Sequence, residues 1–300
     1  MDIVGHHKER SALKRDLPGV FAQGFLFVGP RSIGKGLCAL EFASHLVGEP
    51  DFVPTEDHPH PYDVSVLRPL VVTKKGVTKE KRIPAQSLRE ALVFLSQFPA
   101  SGRFRVLIIE EAHRLSETAQ NVLLKTLEEP KSTAVIILVT HERGALLPTV
   151  LSRLKRVSFH FVPQEEIQSA TSIRYSEATL ATVAPFFLAL GRPGMVLRAL
   201  DHPEEFAIER ELLGSLFQLS ALSVNERLTL AEKLGTHTER AVRLLEWWLP
   251  GLYRQAKETT NVKMTKRFFL FLEAVEETVS LMKTTQSNPR LLLDKLFLAL

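Results

Sequence analysis

Residues Gly29 to Gly36 read G-P-R-S-I-G-K-G, one hydroxyl short of a phosphate-binding loop. In such a loop backbone N–H groups cradle the phosphates, the lysine reaches the β- and γ-phosphates, and a final Ser or Thr hydroxyl helps to hold Mg²⁺. Gly29, Gly34 and Lys35 stand in the required places, and Gly36 stands where the hydroxyl belongs. The pattern by itself also fits an ordinary glycine-punctuated turn between a strand and a helix. A second element narrows the choice: the apolar run Val106-Leu107-Ile108-Ile109 ends in Glu110-Glu111. In an NTPase the first acid after such a strand supports Mg²⁺, and the second orients or activates the attacking water. Glu110 is a methylene longer than the usual Asp at the metal position, and Glu111 takes the water-activating one. Two surface carboxylates ending a strand would look the same, but two partial matches in the expected order point to a nucleotide site whose own catalysis is degraded.

The elements that must hold these residues follow from hydrophobic patterning. Phe25–Val28, Val64–Leu67, Val106–Ile109, Val135–Val139 and Val157–Phe161 are short apolar or β-branched runs, and helical patterns such as Leu37–Leu46 and Gln86–Phe98 lie between them. That alternation predicts an α/β domain with a parallel sheet over residues 1–162. Ser116 is placed to cap a helix whose apolar face is Ala119, Val122, Leu123 and Leu127 and which Pro130 ends. After Pro163 every pattern is helical. Residues 163–203 fit a small lid whose last helix opens at Gly191 to Gly194, and residues 204–300 fit a separate all-α bundle. Trp247, Trp248, Phe268, Phe269 and Phe271 cannot all face one side of their helices, so this aromatic group divides between core and surface.

From Glu110 to Pro130 the chain reads E-E-A-H-R-L-S-E-T-A-Q-N-V-L-L-K-T-L-E-E-P, and Leu146 to Arg153 reads L-L-P-T-V-L-S-R. These two segments resemble bacterial clamp loader subunits of the AAA+ ATPase class, and within that class the delta prime subunits of DNA polymerase III. Val4-Gly5-His6, the run from Gly24 to Pro30, Gly191-Arg192-Pro193-Gly194 and Asn288 to Leu293 extend the similarity along the chain, though it loosens over the last hundred or so residues.

The resemblance implies a P-loop domain, a helical lid and a helical collar through which subunits form a ring. It also implies roles for residues. Arg153 matches the arginine finger offered to ATP on an adjacent subunit, Thr140 the first sensor position, and Glu111 a vestigial catalytic carboxylate. Gly29, Gly34, Lys35, Gly36, Glu110 and Thr140 would line a weak or vestigial ATP/ADP site. Gly194 stands where active motors carry a sensor arginine, and Ser32 replaces a loop glycine of the motors; with Gly36, these departures imply a catalytically silent subunit. Leu154 replaces a family cysteine that does no chemistry. The implied partners are the gamma/tau motor and delta subunits and, through the complex, the sliding clamp and primed DNA. Two other readings predict different behaviour: an active motor would hydrolyse ATP alone, and a pure collar scaffold would not need Arg153.

Composition bounds the remaining choices. A single cysteine, Cys38, excludes an internal disulfide and the four-cysteine zinc module of many relatives. His58 and His60 lie in a proline-rich stretch without thiolates, so neither zinc nor another metal is expected. No run approaches the ~20 apolar residues of a membrane span, and Met1 to His6 does not read as a signal peptide, which suits a cytoplasmic protein without membrane contact. The formal charge of +4 is mild. Lys74, Lys75, Lys79, Lys81 and Arg82 cluster around Glu80, as either a DNA-facing patch or a solvated hairpin.

Overall fold

Short runs rich in apolar and β-branched residues form five strands of one parallel sheet, in the computed structural model that describes residues 3–16, 22–74, 77–80, 82–100, 102–177, 180, 190–258, 262–285 and 287–299. The chain divides into two compact units, Met1–Val162 and Pro163–Leu300.

In the first unit, α1 (His7–Asp16) precedes β1 (Gly24–Val28), α2 (Lys35–Val47), β2 (Val64–Leu67), a hairpin of β3 (Val71–Lys74) and β4 (Val77–Glu80), and α3 (Ala85–Ser96). Then come β5 (Arg105–Ile109), α4 (Glu117–Glu128), β6 (Ala134–Thr140), the one-turn α5 (Pro148–Leu151) and β7 (Lys155–Ser158). The sheet order is β2-β5-β6-β1-β7, and every pairing in it is parallel. Strands β5 and β6 are buried along their whole length, as strands covered on both faces must be. One side packs Phe25, Phe27, Ile33, Phe42 and Val135 under α2; the other packs Leu26, Leu88, Leu107, Leu123 and Ile136 under α3 and α4. This is an α/β architecture, a parallel sheet with helices on both faces.

One sequence expectation shifts. The last strand covers Lys155–Ser158 rather than Val157–Phe161, because its ladder to β1 runs from Phe25↔Lys155 to Val28↔Ser158 and ends where β1 ends. Lys74, Lys79 and Glu80 of the basic cluster fall on a two-stranded hairpin, β3 with β4, as one of the two sequence readings had it; Arg82 follows β4, and Lys75 and Lys81 lie outside the described residues.

Local signals hold elsewhere. The Ser116 hydroxyl accepts the Ala119 N–H at 3.1 Å and caps α4, whose Ala119 and Leu123 are fully buried. Ser116→Ala removes that acceptor and should cost about 1 kcal/mol, read as a lower midpoint in thermal unfolding; an unchanged midpoint would show that water replaces the cap. Leu154 packs into the core beside α4 and α5 instead of reaching the surface.

The second unit is helical in its described residues: α6 (Gln164–Arg174), α7 (Pro193–Asp201), α8 (Ala207–Phe217), α9 (Val224–Gly235), α10 (Thr238–Glu258), α11 (Val262–Thr284) and α12 (Pro289–Leu298). A capping box of Ser223 with Glu226 starts α9, and Asn288 caps α12. Helices α10 and α11 form its most extensive pair, with Trp248 edge-on to Phe271 at 5.7 Å. Trp247, Trp248 and Phe271 are buried while Phe269 is exposed, so the aromatic group does divide.

Candidate nucleotide site

Because the strands are parallel, their carboxyl ends share one edge, where open α/β sheets bind ligands. Strand β6 lies between β1, which feeds the loop, and β5, which feeds the acids. Gly29, Gly34, Lys35 and Gly36 thus meet Glu110, Glu111 and Thr140 at that edge, with Val28 paired to Thr140 and Ile109 to Leu138.

The loop keeps its backbone demands. Gly34 caps α2 with φ of 98°, a left-handed conformation that a side chain resists. A Cβ on Gly29 would come within 2.3 Å of the Phe159 carbonyl oxygen, so glycine permits that close approach of two backbones. Ser32 holds φ of 59° without glycine's freedom, a strain of about 1 kcal/mol. Lys35 is buried, and its ammonium donates to the carbonyls of Gly29 at 2.9 Å and Pro30 at 2.5 Å.

The half that should hold Mg²⁺ is rebuilt. A Cβ on Gly36 would lie 2.9 Å from Glu110 Oε1, so the longer carboxylate has moved into the space that a Ser or Thr would use. Glu110 also accepts Arg68 Nε at 2.7 Å and Nη2 at 3.4 Å. Arg68 carries no recognisable sequence signal; it follows β2, the strand beside β5. With one hydroxyl missing and the carboxylate paired to a guanidinium, these residues offer Mg²⁺ fewer free ligands than a complete P-loop does.

Glu111 is paired as well. Its backbone is left-handed (φ 49°), and its Oε2 lies 3.4 Å from both His113 Nε2 and His141 Nδ1 and 3.5 Å from Arg31 Nη2. Burial opposes its ionisation, but the hydrogen bond and charge of His141, then Arg31 and His113, prevail and hold the carboxyl at about 2. Burial, reinforced by His141, pushes His113 down to about 4. Near pH 7 Glu111 is therefore ionised and His113 neutral. Thr140 is buried; its hydroxyl lies 3.3 Å from His113 Nδ1 and accepts the Glu142 N–H at 3.0 Å.

Arg153 does not join this group. Lys155 pairs with Phe25 at the start of β1, so Arg153, two positions earlier, lies at the amino edge of the sheet, opposite the loop. Its Nη1 donates to the Thr149 carbonyl at 2.9 Å and its Nη2 pairs with Glu128 at 2.8 Å, with the side chain about one-third exposed. Glu128 closes the T-L-E-E-P segment, so the two most distinctive stretches of the sequence meet at this guanidinium.

The sequence model described as "DNA polymerase III, delta subunit" matches residues 10–163, just over half of the chain. The chain belongs to that family. It is a member of the clamp loader subunit group of DNA polymerase III. It is 28% identical over 262 residues to DNA polymerase III subunit tau of Escherichia coli, covering 82% of this chain and 41% of tau. It is 32% identical over 145 residues to subunit delta' of Pseudomonas aeruginosa, covering 44% of this chain and 41% of that protein. Subunit delta' of Haemophilus influenzae is 30% identical over 202 residues, 65% of this chain and 55% of that one. A DNA polymerase III gamma subunit-related protein from Thermotoga maritima superposes with a TM-score of 0.49 at 18% identity, covering 97% of both chains. The family member described here thus spans about two fifths of the length of the E. coli tau and P. aeruginosa delta' relatives. Among its described residues no helix is long and apolar enough to cross a membrane.

Proposed function

We propose that the chain is a delta prime-like subunit of the clamp loader that does not hydrolyse ATP itself and lends Arg153 to ATP held by a neighbouring motor subunit. One observation carries the reading: Arg153 is at the sheet edge opposite its own loop, exposed and braced by Glu128 and Thr149, so it can serve a nucleotide only on another chain. A planar guanidinium there stabilises charge developing on a transferring γ-phosphoryl group. Residues 163–203 and 204–300 serve as lid and collar, the partners are gamma/tau and delta, and the assembly opens the sliding clamp and places it on primed DNA.

A motor reading is favoured by the length of the match to tau, and the isolated chain decides between them. Purified protein should release phosphate from ATP no faster than buffer, because the Arg68–Glu110 pair and Gly36 leave Mg²⁺ poorly held. Gly36→Ser alone should not restore turnover, since it returns the hydroxyl but leaves Glu110 at the metal position, paired with Arg68. Steady turnover abolished by Lys35→Ala would establish the motor instead.

A further inference from the structure

Glu111, His113 and His141 have a second chemistry that neither the loop nor the arginine accounts for. They are the described residues in which three potential metal ligands converge, with one donor atom from each lying within 4.8 Å of the others. Glu111 and His113 come from the turn after β5, and His141 follows the last residue of the adjacent β6. Against the sequence expectation of no metal, which weighed only cysteines and the His58/His60 stretch, we propose that Glu111 Oε2, His113 Nε2 and His141 Nδ1 bind a divalent transition-metal ion, with Zn²⁺ the best match.

The spacing is close to that of a coordinated set. Zinc bonds to imidazole and carboxylate of about 2.0–2.2 Å place tetrahedral donors about 3.3–3.5 Å apart. Two of the three edges are already 3.4 Å. Two imidazoles and one carboxylate suit Zn²⁺ and its transition-metal neighbours, whereas Mg²⁺ prefers oxygen alone. The set leaves a further coordination position for water, as in zinc sites that are open to ligands.

An outer partner is present. Thr140 Oγ1 lies 3.3 Å from His113 Nδ1, so a metal on Nε2 would leave the ring proton on Nδ1, where the Thr140 oxygen can accept it. The left-handed backbone at Glu111 is a local strain that keeps its carboxylate beside His113. Arg31 is the competitor: its Nε lies 2.8 Å from His141 Nε2, and its Nη2 reaches Glu111. A metal on His141 Nδ1 leaves the proton on Nε2, so Arg31 must withdraw, and its side chain is exposed enough to do so.

The test is a titration of chelator-stripped full-length chain with Zn²⁺ by calorimetry, and with Co²⁺ by visible absorption. One Zn²⁺ per chain is expected, with a Co²⁺ ligand-field band of a four- or five-coordinate N/O site. Glu111→Gln and His141→Gln should each weaken Zn²⁺ binding more than about tenfold, and Thr140→Val about tenfold, as loss of an outer partner does. Arg31→Ala should tighten binding several-fold, an effect opposite to that of a lost structural contact. His58→Gln with His60→Gln should change nothing. Absence of stoichiometric binding, retention in His141→Gln, weakening in Arg31→Ala, or loss in the His58/His60 variant would each overturn the site. Should His141→Gln fail to fold, Arg31→Ala and the wild-type Co²⁺ spectrum still decide.

Discussion

A clamp loader reconstituted with the Arg153→Ala variant should assemble normally yet lose most of its DNA-stimulated ATP turnover at the adjacent site. Arginine fingers contribute roughly 10³ to 10⁵ in rate at a dedicated site; other sites in the ring dilute that, so the loss in total turnover will be smaller than the loss at the neighbouring site. Folding should survive because Arg153 is partly exposed and its pair with Glu128 lies at the surface, where such pairs contribute at most about 1 kcal/mol. Arg153→Lys should rescue poorly, since an ammonium cannot present a planar fork. Glu128→Ala separates bracing from chemistry: it frees the guanidinium without removing it, so turnover should fall less than in Arg153→Ala. Wild-type turnover and clamp loading in an assembled Arg153→Ala complex would sink the finger and leave the scaffold reading.

Asp63→Ala should destabilise the first unit by about 3–5 kcal/mol, the cost of stripping one partner from a buried ion pair. Asp63 is fully buried just before β2, opposite Arg105 at the start of β5, with Oδ1 3.3 Å from Arg105 Nε. Its carboxylate also accepts the Ala100 N–H at 2.9 Å and the Gly102 N–H at 3.4 Å. Arg105 in turn donates to the Phe94 carbonyl and the Gln97 side chain and stacks its guanidinium 4.5 Å from the Phe94 ring. Alanine at 63 would leave a buried cation and open N–H donors. Urea unfolding should be followed by far-UV circular dichroism, because both tryptophans, Trp247 and Trp248, lie in the second unit. A loss below about 1 kcal/mol would mean that water enters and solvates Arg105, since a group that relaxes into solvent no longer carries the full burial penalty.

The sequence by itself determined which residues could form a phosphate loop and where the strands that carry it run. Local chemistry fixes those features: β-branched runs choose strands, Ser116 caps a helix with its own hydroxyl, and left-handed turns select glycine at Gly34. The departures at Gly36 and Glu110 were legible too, because both stand at fixed places in two patterns. The end of the last strand was not, since Lys155–Ser158 is set by its ladder to β1 rather than by its own apolar content.

Only the tertiary structure decided what each site residue faces. Arg68 and Glu110 lie 42 positions apart, as do no residues in a recognisable motif, and they meet because β2 and β5 are neighbours. Glu128 at the end of α4 and Arg153 after α5 meet although all of β6 lies between them in sequence, and Glu111, His113 and His141 converge because β5 and β6 end side by side. Parallel strand order puts the loop and the acids at one edge and Arg153 at the other. Side-chain pairing over such separations is written in strand order and register, which no local window of sequence contains.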